Sequence, residues 1–115
     1  MDKKALKEQY KSTKPDMGVF IIQSIKEHSC LVIATSNLTG AMNSARFQLD
    51  FGSYPDKVLQ EWWKRDGAAG FNIRVLETLP YGQDETKQDY SEELSIMKLL
   101  WEERLSAEGM RCLAR

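Results

Sequence analysis

Gly18-Val19-Phe20-Ile21-Ile22 is a β-branched and aromatic run, the pattern of a mostly buried strand. Polar residues at 24–29 make a turn. Cys30-Leu31-Val32-Ile33-Ala34-Thr35 is a second apolar run, long enough for a strand and too short for a core helix. The short link predicts an antiparallel hairpin, because a parallel pair needs a crossover of about a dozen residues. Ser36-Asn37 then offers a helix N-cap. Leu38, Met42, Ala45 and Leu49 follow at helical spacing, so the helix lays one apolar stripe on the hairpin.

Before the hairpin, Ala5, Leu6, Gln9 and Tyr10 predict a short helix ending ahead of Lys14-Pro15, where the residue before proline is pushed out of the α region. Leu6 and Tyr10 would dock it on the sheet. After the first core helix, residues 51–55 form a loop. A second helix starts at Ser53 or Pro55 and runs to about Arg65, with Val58, Leu59, Trp62 and Trp63 on its apolar side and Lys57, Glu61, Lys64 and Arg65 outward. Adjacent Trp62 and Trp63 cannot both face the core. A glycine stop follows at Gly67. Residues 71–77 alternate, which predicts a third strand with Phe71, Ile73 and Val75 inward. The last helix is expected over 89–105, with Tyr90, Leu94, Met97, Trp101 and Leu105 as its core stripe. The expectation is therefore an α+β domain spanning 1–115: a small three-stranded antiparallel sheet flanked by helices, with an N-terminal helical appendage at 1–14 and a tail at 106–115.

Composition changes this picture little. At 115 residues, 42% hydrophobic and 29% charged, the chain can bury one core and is not of disordered composition. No apolar run approaches the ~20 residues of a membrane span, and the N-terminus has no apolar signal core, so no membrane partner is expected and the cytoplasm is the expected location. The net charge of −1 gives no overall field to attract nucleic acid. Charge is uneven: Lys3, Lys4, Lys7, Lys11 and Lys14 make a basic start, and Asp84, Glu85, Asp89, Glu92 and Glu93 an acidic segment. Cys30 and Cys112 have no metal-ligand spacing, and Cys30 in a buried strand acts as a small hydrophobe. His28, the single histidine, reads as a turn residue rather than a general base.

The order strand, strand, helix, helix, strand, helix resembles the GIY-YIG nuclease domain over 17–105. Gly18-Val19-Phe20 stands where that family has Gly-Ile-Tyr, and Leu31-Val32-Ile33 where it has Tyr-Ile-Gly. Asn37-Leu38 opens the helix. Leu59-Gln60, Trp63, Gly67, Phe71 and Val75-Leu76-Glu77 resemble the middle block, and Trp101 and Leu105 the end of the last helix. The start, Lys14-Pro15 and Met17-Gly18-Val19, is similar to a short subgroup found alone or fused to helix-turn-helix transcription regulators.

The resemblance implies phosphodiester cleavage with one divalent metal on a glutamate of the last helix, an arginine on the first core helix and a tyrosine in the first two strands. In-line displacement at phosphate requires that nucleophile, cation and charge neutralisation together. Carried onto this chain, the glutamate position is Lys98, the arginine position about Ala41, the first-strand tyrosine Phe20, the second-strand tyrosine Leu31 and the following glycine Ile33. A distal asparagine falls near Arg111. A His or Tyr of the family survives as Tyr54, and the nearest arginine is Arg46; these two are the candidate catalytic residues. An ammonium has no lone pair for a metal. Lys98 either snorkels to water from a packed stem or holds a phosphate or carboxylate where the metal charge would be.

The reading drawn from this is a nuclease-like domain without its catalysis, acting as a nucleic-acid-binding or regulatory module. Arg46, Lys57, Lys64, Arg65 and Lys98 are the candidate phosphate contacts and Trp62 a stacking platform. No cofactor or metal is expected. The alternative is an active endonuclease using Mg²⁺ or Mn²⁺ on displaced ligands, Glu102 with Glu77 or Asp50. A further alternative is a protein-interaction module, either a homodimer through the tryptophan helix or sheet edge, or a partner of a transcription regulator.

Overall fold

The computed structural model describes residues 14–84 and 86–113. The expected helix near Leu6 and Tyr10 lies outside them. Strands β1 (Met17–Ser24) and β2 (Ser29–Thr35) form the expected antiparallel hairpin, with Gly18 opposite Thr35 and Ser24 opposite Ser29. His28 takes φ +49° in the turn, and the flanking hydroxyls are used locally: Ser29 Oγ donates to the Glu27 carbonyl and the Glu27 N–H donates to Ser24 Oγ. Helix α1 (Leu38–Phe51) is capped by Asn37, whose side chain accepts from the Gly40 N–H, and Gly52 closes it in the left-handed region at φ +80°. Helix α2 (Lys57–Asp66) begins later than Ser53 or Pro55, because Asp56 supplies the cap by accepting from the Leu59 N–H. A 3₁₀ turn at Ala68–Gly70 leads into β3 (Phe71–Leu79), and α3 (Ser91–Ala107) follows. Asp89, expected inside that helix, lies ahead of it and accepts from the Ser91 N–H at 2.9 Å.

Among the described residues the sheet has four strands, in the order β3-β1-β2-β4, not three. The expected tail folds back as β4 (Arg111–Cys112), parallel to β2. The Arg111 N–H donates to the His28 carbonyl and the Leu113 N–H to that of Cys30, satisfying part of an otherwise open strand edge. A two-residue strand carries no periodicity, so the pattern could not announce it.

Side-chain alternation splits the core across the sheet. Phe20, Ile22, Leu31 and Phe71 face α1 and α2 and pack with Leu38, Ala45, Leu49, Leu59 and Trp63. Val19, Ile21, Cys30 and Val32 face α3 and pack with Leu105, Met97 and Trp101. Met17, Tyr90 and Leu94 continue the α3 side. The register of β1 and β3 shifts once: Phe20 pairs with Val75 and Val19 with Glu77, leaving Leu76 as the extra residue of a bulge. The bulge turns Glu77 to the α3 side. Val75, expected inward, is 43% exposed and outside both clusters. Val58, also expected in the core, is exposed, while Trp62 is half-buried beside buried Trp63. No described helix is long and apolar enough to cross a membrane.

Candidate functional site

Phe20 and Ile33 are register partners on β1 and β2, and both point toward α1. Ala41, Ser44, Ala45 and Gln48 of α1 face them, and Tyr54 closes the end, giving a groove of about 170 Å³. Four positions singled out in the sequence, Phe20, Ile33, Ala41 and Tyr54, thus meet in one place. Leu31 is buried beneath them in the same cluster. The walls are mainly hydrocarbon and aromatic ring, with Ser44, Gln48 and Tyr54 as the polar members.

Tyr54 is held by a residue that the sequence reading did not single out for a role. Gln60 is buried on α2; its Oε1 accepts from the Tyr54 N–H at 2.9 Å and its Nε2 donates to the Leu49 carbonyl at 2.9 Å. One amide therefore ties the end of α1, the loop and α2 together. The available signal was a polar residue three positions before core-facing Trp63, hence on the inward side of the helix.

Arg46 does not join Tyr54. Five positions beyond Ala41, it is turned about 140° round the helix. It lines a different groove, of about 280 Å³, with Asp50, Trp63, Ala68, Phe71 and Ile73. Asp50 is engaged there, accepting from Trp63 Nε1 at 3.1 Å.

Lys98 and Glu102 lie half-buried on α3, against the other face of the sheet. Lys98 forms no ion pair with any described residue and is not part of the groove that holds Tyr54. Glu77 accepts from Trp101 Nε1 at 2.8 Å. The three carboxylates named as alternative metal ligands are therefore divided, Asp50 on the α1 side and Glu77 and Glu102 on the α3 side. Among the described residues no three His, Cys, Asp or Glu side chains are grouped to hold a metal ion.

The basic candidates converge in part. Lys57, Trp62 and Arg65 line an open groove of about 410 Å³ on α2, together with Val58 and Glu61. Lys64 runs past Gly52, where an added Cβ would meet its Cε at 3.5 Å. Arg65 is clasped by Glu27 at 2.9 Å and Asp66 at 2.7 Å. The hydrogen bond from Arg65 holds the Asp66 carboxyl below the usual range, and the same contacts raise Arg65. That clasp is complete above the ordinary carboxylate pKa and loosens as pH falls through the lowered value of Asp66. Arg46, Lys64 and Lys98 are not part of this groove.

No family model matches the chain, and no curated protein matches it. Solved structures do. The chain is similar to the catalytic domain of the homing endonuclease I-TevI with a TM-score of 0.65 and 17% identity, over 86% of this chain and 99% of that one. It is similar to a glutamate-to-alanine mutant of the intron endonuclease I-TevI catalytic domain with a TM-score of 0.63 and 16% identity, over 84% of this chain and 90% of that one. The chain has the GIY-YIG fold. Identities this low speak for the fold alone, so the GIY-YIG scaffold is common ground and the chemistry must be argued from the side chains present here.

Proposed function

We propose that this chain is a GIY-YIG-fold module that binds DNA without cutting it. The observation that supports this best is the groove over the first two strands. Phosphodiester cleavage there would need a cation and charge neutralisation beside the scissile phosphate, and Phe20, Ile33, Ala41 and Ala45 offer neither. Lys98, on the helix against the other face of the sheet, has an ammonium that cannot be one of the oxygen ligands a hard divalent cation needs. DNA is the ligand class suggested by similarity to a homing endonuclease domain. On this chain the α2 surface suits it: Lys57 in the groove and Lys64 outside it, about two turns along the same helix, as phosphate contacts, and half-buried Trp62 as a stacking group. Arg65, already held by two carboxylates, contributes less than its charge implies.

Two phosphate contacts give a shallow salt dependence, with log K falling against log salt at a slope of about −2 on duplex DNA. Fluorescence anisotropy with a labelled duplex at several salt concentrations reads that slope. The double substitution Lys57→Glu and Lys64→Glu is expected to abolish the binding. Absence of binding at low salt, or identical isotherms for wild type and variant, would remove the α2 groove from the account.

Protein interaction is a second reading, supported by α3. Its outer side exposes Ile96, Leu99 and Leu100, the last two at 60% each. Apolar residues on both sides of a helix are expected where both sides are covered. Sedimentation is then expected to show concentration-dependent association that Leu99→Glu suppresses. A monomer at every concentration removes this reading.

A further inference from the structure

Cys30 and Cys112 are separated by 82 positions, yet their sulfurs lie 3.8 Å apart. The fold brings them together: they are register partners on the parallel pair β2–β4. Both are free thiols. We propose that they form an oxidative modification site, closing to an intramolecular disulfide that fastens β4 to the sheet.

The geometry permits closure without moving a strand. Neighbouring strands lie about 4.8 Å apart and disulfides accept Cα separations of roughly 4.4–6.8 Å. The sulfurs must approach by about 2 Å, within reach of side-chain rotation. Cys112 Sγ would give up weak hydrogen bonding to the Glu102 carbonyl at 3.6 Å and the Ser106 hydroxyl at 3.8 Å.

Exposure sets the order of events. Cys30 is fully buried and Cys112 half-buried, so a small disulfide oxidant such as glutathione disulfide meets Cys112 first. The Cys112 thiolate attacks one oxidant sulfur, breaks the oxidant's S–S bond and releases one glutathione thiolate. Cys30 then loses its proton to water and attacks the Cys112 sulfur, and the second glutathione leaves. Two protein thiols are oxidised and one glutathione disulfide is reduced to two thiols. Burial, with the neighbouring Cys112 and Glu102 adding to it and Arg74 opposing, pushes the Cys30 thiol up to about 12, so this second step is the slow one at neutral pH.

The bond would add a covalent tie to a short strand held by packing of Met110, Cys112 and Leu113 and by a few hydrogen bonds. β4 has two residues, anchored to β2 by the Arg111 and Leu113 N–H groups. A covalent tie there also encloses α1, α2 and α3 in one loop, which restricts the unfolded chain.

The test is incubation of the full chain with glutathione disulfide at mildly alkaline pH, followed by non-reducing intact mass and peptide mapping. The expected product has lost two hydrogens, carries a linked Cys30–Cys112 peptide pair, resists maleimide and melts about 5–10 °C higher than the reduced chain. Cys30→Ser is expected to stop at a glutathione adduct on Cys112, and Cys112→Ser to take up little glutathione. A wild type that keeps both thiols, stops at the adduct or links two chains overturns the proposal. The wild-type result decides the matter even if a variant fails to fold.

Discussion

Alanine in place of Gly18 is expected to destabilise the chain by about 3 kcal/mol, among the larger effects of any single methyl group, because the added carbon has no room. A Cβ built there would collide with the Glu77 carbonyl oxygen and lie 2.9 Å from the Thr78 Cα, both backbone atoms of β3. A flexible side chain could swing aside; a paired strand cannot. Gly18 lies next to the bulge, pairing with Thr78 on one side and Thr35 on the other, so β3 must shift outward or the pairing must open. Displacing β3 also pulls Glu77 from Trp101 and loosens α3. Urea unfolding should show the midpoint fall with little change in slope, and hydrogen exchange should quicken at the β3 amides nearest Glu77. A midpoint within error of wild type would mean that the close approach of β1 and β3 is wrong. The glycine that opens the family-like motif is thus explained here by packing, with no catalytic role required.

The second large effect is at Gln60. Gln60→Leu keeps the volume roughly constant and removes both hydrogen bonds, leaving the Tyr54 N–H and the Leu49 carbonyl without that partner. Losing two buried hydrogen bonds, while the Leu49 carbonyl keeps the one from the Gly52 N–H, costs about 1–3 kcal/mol. Gln60→Glu retains the acceptor for Tyr54 but loses the donor to Leu49 and buries a charge, so it should be no milder. Both variants should release the loop that carries Tyr54. Quenching or tyrosine-proton NMR would report that release separately from global stability. If Gln60→Leu were as stable as wild type, the amide would not be the brace between α1 and α2.

Much of this arrangement could be read from residue pattern. The stripe Leu38, Ala45 and Leu49 predicted which face of α1 is buried, and the apolar runs at 18–22 and 30–35 predicted the hairpin. Those signals are periodic and local. What escaped was neither. The bulge at Leu76 inserts one residue and reverses the side on which Glu77 lies, and no alternation pattern marks where that happens. β4 is too short to have a period, so the contact of Cys112 with Cys30 was out of reach as well. The candidate site was legible in the same measure. Phe20, Ile33, Ala41 and Tyr54 do share a groove. Arg46 could not stand in for an arginine at Ala41, since five positions along a helix put it on another face. Lys98 lies on α3, and the groove that holds Tyr54 does not include it.

Nicking of supercoiled plasmid by the purified, folded chain tests the central claim most directly. With Mg²⁺ or Mn²⁺ the account predicts no conversion to open circle beyond a chain-free control, because the groove lined by Phe20, Ile33 and Ala41 offers no carboxylate to a metal and no cation to a phosphate. Metal-dependent nicking that disappears in both Tyr54→Phe and Glu102→Ala would contradict it, and would mean that displaced ligands assemble a working nuclease on this scaffold.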